Sequence, residues 1–234
     1  MNIIYTYWSN GGNNVSCGFG MPQLFFQAAQ KSLVLASRQQ YVNNIIVYTD
    51  LEGADILKHN ITPINKVSIV IIDYSKFVFD KRYWNFPKLI SYALQKDIFL
   101  HIDFDVFLKP NFTEQIDFST DIIAEMLRDY HYENEFNKFN ENKKIPKSLI
   151  CSGLIGGANL QIFKDNFELA KKACIPTKEE ITFWDLVGIE EFSLTKLAIA
   201  RNLSVQELES DSFVHFGGRC KYSRWGEEIK NYKI

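Results

Sequence analysis

Along the first 110 residues, short apolar runs alternate with stretches in which apolar positions recur at helical spacing. Ile3 to Tyr7 and Ile45 to Tyr48 are apolar runs that predict strands, the second ending in Thr49-Asp50, and Val67 to Ile72 predicts a third. Between the first two, Leu24, Phe25, Ala28, Leu33, Leu35 and Ala36 place one apolar face on a helix over Pro22 to Gln40, with Pro22 suited to its first turn. Asp55 to His59 predicts a short helix and Tyr83 to Lys96 a longer one leading into a fourth strand. Strand and helix in alternation argue for an α/β fold with a mostly parallel central sheet flanked by helices. The loop from Ser9 to Gly20 is rich in Ser, Asn and Gly, which lets backbone come close to a ligand.

The second half is less regular. Ile122 to Tyr130 suits a strand or a helix, and Asn134 to Lys147 is polar enough to predict a surface loop, either plainly solvated or a substrate lid. Leu149 to Phe163 carries Gly156-Gly157-Ala-Asn159, where small residues permit close approach or mark a turn. Asn166 to Cys174 and Ile189 to Asn202 predict helices, with Glu190 and Glu191 in the first turn of the second, where acids complement the helix dipole.

One run departs from this alternation in its chemistry. Ile98-Phe-Leu-His-Ile-Asp103-Phe-Asp105-Val-Phe-Leu108 is a buried-strand pattern broken by two carboxylates two positions apart. Burying such charges costs several kcal/mol each unless a cation compensates. If the strand runs through both, they share a face; if it ends between them, they flank one spot at its carboxyl edge, where open α/β sheets take ligands. A hard divalent ion completed by phosphate and water is the expected occupant, against the plainer alternative of a strand-end pair facing solvent or a lysine. Near the carboxyl terminus, Phe213-Val-His215-Phe-Gly-Gly218-Arg-Cys-Lys221 combines an imidazole, glycines and a lysine, the parts of a phosphate clamp. Singly, His215 also reads as a structural histidine and Lys221 as a surface lysine.

Composition narrows the classes. The 234 residues suffice for one large α/β domain, and 26 basic against 28 acidic residues leave a formal charge of −2, with no basic field for nucleic acid. The amino terminus has no leader pattern and no run reaches the roughly 18 apolar residues of a membrane span, so the expectation is a soluble, cytoplasmic protein. Cys17, Cys151, Cys174 and Cys220 show no paired spacing, and each reads as a reduced thiol packed in the core.

Together, Asp103-Phe-Asp105, the preceding Trp84-Asn-Phe-Pro87-Lys88-Leu-Ile-Ser-Tyr92 and the distant His215-x-x-Gly218-x-x-Lys221 resemble nucleotide-sugar-dependent glycosyltransferases of the GT-A fold. The similarity is to the retaining branch typified by glycogenin and the bacterial lipopolysaccharide galactosyltransferases, and to small bacterial proteins of this fold among surface-polysaccharide genes. The resemblance implies a single GT-A-like domain over residues 1–234, with a nucleotide-sugar half over 1–110 and an acceptor half with the diphosphate clamp over 111–234. It implies Asp103, Asp105 and His215 as ligands of Mn2+ or Mg2+, and Gly218 and Lys221 as diphosphate contacts. Lys88 falls near the donor, or on a helix surface. Tyr7, Trp8, Thr49 and Asp50 stand at strand ends facing base and ribose, and Gly156, Gly157 and Asn159 lie on the acceptor side. Glu190 and Glu191 stand where Asp-Gln is common in the family, and no Pro-Trp follows the clamp lysine.

The implied partners are a nucleoside diphosphate sugar, UDP-linked by preference, and a saccharide or lipid-linked acceptor, in surface-polysaccharide synthesis. Metal and Lys221 would stabilise the leaving diphosphate, and Glu190, Glu191 and Asp185 are the candidates for the carboxylate chemistry at the sugar. A hexosyl transfer with retention follows from the motif match. The carboxyl-terminal Lys221-Tyr-Ser-Arg-Trp225 and Lys230-Asn-Tyr-Lys233 suit peripheral membrane docking or a plain solvated end. Two other classes share parts of this pattern: an Asp-x-Asp phosphatase, whose motif sits in a first strand, and a non-catalytic glycan-binding module using some of the 11 Tyr, 19 Phe and 4 Trp as stacking platforms.

Overall fold

A computed structural model describes residues 1–9, 22–141, 146, 148–174, 180–217 and 221–234. Most of the predicted loop from Ser9 to Gly20 therefore lies outside the described residues. In chain order the elements are β1 (Asn2–Thr6), α1 (Pro22–Ser37), β2 (Asn44–Thr49), α2 (Leu51–Asn60), β3 (Val67–Ile71), α3 (Phe86–Ala93), β4 (Phe99–Ile102) and β5 (Val106–Leu108). They continue with β6 (Ile122–Leu127), α4 (Tyr130–Phe139), β7 (Leu149–Gly157), α5 (Leu160–Ala173), α6 (Phe183–Val187), α7 (Ser193–Ala200), β8 (Val205–Glu207), β9 (Phe213–His215) and α8 (Lys221–Asn231).

Seven strands form one sheet in the order β3-β2-β1-β4-β7-β6-β8, and β5 pairs with β9 in a separate antiparallel ribbon. Every strand of the large sheet but β7 runs the same way. The predicted α/β class with a mostly parallel sheet is what the chain adopts. The chain leaves β1 toward β2 and β3 on one side and returns to β4 on the other, so the β1/β4 boundary is a topological switch point with its crevice at their carboxyl ends.

Side-chain alternation sorts the core into two layers. Ile3 and Tyr5 of β1 with Leu100 and Ile102 of β4 pack toward α1 and the β5/β9 ribbon. Ile4 and Phe99 face the other way, toward Phe86, Leu89 and Ile90 of α3 and Phe163 of α5. On β4 the second layer therefore collects Phe99, His101 and, just past the strand, Asp103.

Two sequence expectations change. The polar stretch from Asn134 begins inside α4, because Asp129 caps the amides of His131 and Tyr132 and Phe136 is fully buried, anchoring one apolar position per turn. The helix expected from Ile189 starts earlier, at Phe183, where Thr182 and Asp185 form a capping box. Glu190 and Glu191 thus lie in mid-helix rather than in a first turn.

Gly156 is held by the sheet itself: a Cβ there would stand 2.0 Å from the Phe99 carbonyl oxygen on the neighbouring strand. Gly156→Ala is expected to lower stability by at least about 2 kcal/mol, read as a reduced midpoint in urea, because backbone of a central strand has nowhere to yield.

Candidate active site at the carboxyl edge of β4

β4 ends at Ile102, before either carboxylate, and a turn closed by the Val106 amide on the Asp103 carbonyl (3.0 Å) carries the chain into β5. The two aspartates therefore do not share a strand face; they flank the turn. Asp103 continues the Phe99 and His101 side, while Asp105 is directed toward the β5/β9 ribbon, where its carbonyl accepts from the Phe216 amide (3.0 Å).

Asp103 meets Lys88, which is on α3 and is buried. The ammonium lies 3.1 Å from Asp103 Oδ1 and 3.0 Å from Glu190 Oε1, and donates to the Ser152 carbonyl (3.2 Å). Burial alone would push this lysine down, but Asp103 and Glu190 more than offset it and hold the ammonium well above its usual range. Glu190 also accepts from Asn85 Nδ2 (3.0 Å) and the Tyr92 hydroxyl (3.2 Å).

Glu190 and Glu191 lie in a π turn over Gly188–Phe192, between α6 and α7, with both side chains buried. Such turns occur often at functional sites. Glu191 Oε1 accepts from the Ser152 amide (3.0 Å) and hydroxyl (2.9 Å), while its buried Oε2 has no hydrogen-bond partner among the described residues. Burial, opposed by the Ser152 amide and reinforced by Glu190, pushes the Glu191 carboxyl up to about 7.

His215, at the end of β9, completes the group. Its Nδ1 is 2.6 Å from Glu125 Oε2 and its Nε2 is 3.9 Å from Asp105 Oδ2. Burial would lower its pKa, but the Glu125 hydrogen bond and the nearby Asp105 raise it to about 9. His101 contrasts with it: burial, aided by the Lys88 charge, pushes that imidazole well below its usual value, and neither ring nitrogen has a hydrogen-bond partner among the described residues.

His215 and Asp105 fit a divalent cation as a pair of donors. Two donors each about 2.0–2.2 Å from one ion are compatible with the 3.9 Å between His215 Nε2 and Asp105 Oδ2. Glu125 on the other ring nitrogen is the carboxylate that commonly orients a ligating imidazole. A Cβ at Gly153 would stand 2.4 Å from His215 Cε1, and one at Gly217 2.9 Å from Nε2, so both glycines keep this corner of the ring clear.

The other expected residues distribute unevenly. Tyr7 and Trp8 leave the carboxyl end of β1 at the switch point, Tyr7 stacked on Phe25 (5.6 Å) and Trp8 against Tyr74 (6.1 Å) and Phe79 (5.5 Å). Thr49 is fully buried, and Asp50 caps α2 through the Gly53 amide (3.1 Å) and bonds Ser9, so its carboxylate is engaged by protein groups. Asp185 is likewise engaged in the α6 capping box and stands apart from the cluster. Gly156, Gly157 and Asn159 are at the opposite end of the sheet: β7 runs antiparallel to β4, pairing Gly157 with Phe99, and Asn159 caps α5 and bonds Asp121. They stand apart from the cluster at the carboxyl edge of β4. Gly218 lies outside the described residues, and of Lys221 the backbone alone, at the start of α8, is described.

Glu125, Cys151, Ser152 and His101 adjoin this cluster without standing out in the sequence as candidates. Two carried a signal: Glu125 is the one acid in Ile122-Ile-Ala-Glu-Met-Leu127, and His101 interrupts the same apolar run as Asp103. Nothing local in the sequence distinguishes Cys151 or Ser152.

Residues 1–216 match the sequence profile of DUF6734, a family of unknown function. No curated protein matches the sequence. Among solved structures, the chain is similar to the galactosyltransferase LgtC in complex with donor and acceptor sugar analogues, at 12% identity and a TM-score of 0.51, over 90% of this chain and 74% of that one. It is also similar to 4-diphosphocytidyl-2C-methyl-D-erythritol synthase from Anaerococcus prevotii, at 11% identity and a TM-score of 0.53, over 98% of both chains. These likenesses show the fold, which is of the GT-A type that the sequence motifs resembled.

Two outcomes follow from the buried charges. Lys88→Met leaves Asp103 and Glu190 facing each other without their shared cation and is expected to destabilise by about 3–5 kcal/mol in denaturant titration. For Glu191, the folded-state carboxyl binds its proton more tightly than the unfolded one. That contribution is full below about pH 4 and lost as pH rises through about 7, on the order of 3 kcal/mol in all. Glu191→Gln should therefore gain stability relative to wild type across that window, measured by urea unfolding at a series of pH values.

Proposed function

We propose that this chain, which belongs to DUF6734, a family of unknown function, is a metal-dependent glycosyltransferase. It moves a hexosyl unit from a nucleoside diphosphate sugar, UDP-linked by preference, to a saccharide or lipid-linked acceptor. The observation that carries this reading is the approach of His215, at the end of β9, to Asp105, in the turn after β4 that also carries Asp103, beside the switch point of a GT-A sheet. In this reading residues 1–110 bind the nucleotide sugar, and residues 111–234 bind the acceptor and close on the diphosphate.

Asp103, Asp105 and His215 would hold Mn2+ or Mg2+, which when bound neutralises charge developing on the leaving diphosphate. Lys88 keeps Asp103 oriented and joins it to Glu190 through one ammonium. Tyr7 and Trp8 offer ring faces to the base, and Gly218 and Lys221 contact the diphosphate as the motif implies. Glu190 and Glu191 stand nearest the reacting sugar. Glu191, with its carboxyl raised toward neutrality, is suited to exchange a proton there. We read the transfer as retaining on the His-x-x-Gly-x-x-Lys resemblance. No helix among the described residues is long and apolar enough to cross a membrane. A lipid-linked acceptor would be met by peripheral docking at the inner face of a bacterial membrane, in surface-polysaccharide synthesis.

Nucleotidyl transfer is a second reading, favoured by the similarity to the 4-diphosphocytidyl-2C-methyl-D-erythritol synthase over 98% of both chains. The two differ in product: glycosyl transfer releases a nucleoside diphosphate, nucleotidyl transfer releases pyrophosphate.

A thermal-shift panel of UDP, GDP, CDP and ADP, with and without Mn2+, tests the donor site. One nucleotide at a hundredfold excess over its Kd should add roughly 2.7 kcal/mol, a rise of about 5–10 °C. Asp103→Asn/Asp105→Asn should abolish the metal-dependent part. Metal-independent stabilisation that survives in this variant would overturn the assignment.

A further inference from the structure

We infer that Glu125, Cys151 and His215 form a second cation position, one for a thiophilic divalent metal of the zinc class. The three come from β6, β7 and β9: β6 and β7 pair with each other, with a register shift at Glu125, and β9 is held by β5. One ligating atom from each lies within 4.8 Å of the others. Thiolate and imidazole donors favour zinc-class metals over magnesium or manganese, whereas the two aspartates nearby are hard donors. The same site thus presents two donor chemistries on the two sides of one imidazole.

The surroundings of the two buried cysteines separate a ligand from packing. Cys174 belongs to the apolar layer with Phe163 and Ala170, the usual place of a structural thiol. Cys151 is as well buried but belongs to none of the apolar clusters among the described residues; it faces the carboxylates of Glu125 and Glu191. Burial and the Glu125 and Glu191 carboxylates hold the free thiol well above its usual range, against the Gly153 amide that approaches its sulfur at 3.5 Å, so a thiolate here calls for a cation. An open cleft of about 900 Å³, with Glu125 and His215 on its wall, supplies an entry path and room for a water as fourth ligand.

Binding would form metal–sulfur, metal–nitrogen and metal–oxygen bonds and release two protons to solvent, the Cys151 thiol proton and one proton of the His215 imidazolium. A neutral imidazole has one lone pair to give. With a metal on the Glu125 side, Nδ1 is the ligand and Nε2–H faces Asp105; with a metal on the Asp105 side the roles reverse. The two cations therefore compete for His215. The site itself does not depend on the glycosyltransferase reading.

The test uses Co2+ as an optical probe on the full chain carrying Cys17→Ser and Cys220→Ser. A near-ultraviolet thiolate-to-cobalt charge-transfer band should appear at one equivalent and be displaced by Zn2+. It should vanish in Cys151→Ser and need at least about tenfold more Co2+ in Glu125→Gln, both checked for folding by thermal melting. It should persist in Asp103→Asn/Asp105→Asn, so that failure of the donor site and failure of this site are read separately. No band at saturating Co2+, or a band that survives Cys151→Ser, overturns the inference. Should Cys151→Ser not fold, an unchanged Co2+ affinity in Glu125→Gln does the same.

Discussion

The Lys88 ammonium is the constraint on which the rest of the site depends. It is buried on α3, 3.1 Å from Asp103 and 3.0 Å from Glu190, and so ties the end of β4 to a helix turn more than eighty residues later in the chain. Removing an ion of this kind from water costs several kcal/mol, which two facing carboxylates and the Ser152 carbonyl offset. Asp103 is then held in place before any ligand arrives. Preorganisation of this sort is what a cation or diphosphate site requires, since a donor already in position does not have to be ordered on binding.

His215 plays the corresponding part on the other side of the turn. The β5/β9 ribbon sets Val106 opposite His215, and the Phe216 amide bonds the Asp105 carbonyl, so aspartate and imidazole are brought face to face by backbone pairing. Glu125 then fixes the ring through Nδ1. Two cationic groups, Lys88 and protonated His215, thus organise a set of acids that would otherwise repel one another. A metal that replaces the proton on His215 takes over the same electrostatic duty.

The π turn at Gly188–Phe192 shows why a strong local signal pointed elsewhere. Two adjacent glutamates before an apolar helix read as dipole partners at its start. The Thr182–Asp185 capping box moves the start upstream, and both glutamates become buried in mid-helix, against Lys88 and Ser152. Gly156 and Gly157 show what small residues permit within the sheet: a Cβ there would stand against the Phe99 and Asp121 backbones.

The sequence by itself determined the α/β alternation, the parallel half of the sheet and the two motifs centred on Asp103-x-Asp105 and His215. Each is a local pattern, apolar periodicity or an ionisable group set in an apolar run, and burial makes such patterns legible because a charge there demands a partner. Which partners those charges receive was decided by tertiary structure alone. Lys88 could have been a surface lysine, Cys151 a core thiol and Glu125 a strand-edge acid. The registry of β4 with β7 and of β5 with β9, together with the packing of α3 and the π turn against that edge, brought them to one place. Strand pairing and helix packing join residues far apart in the chain, and one-dimensional spacing carries no record of those distances.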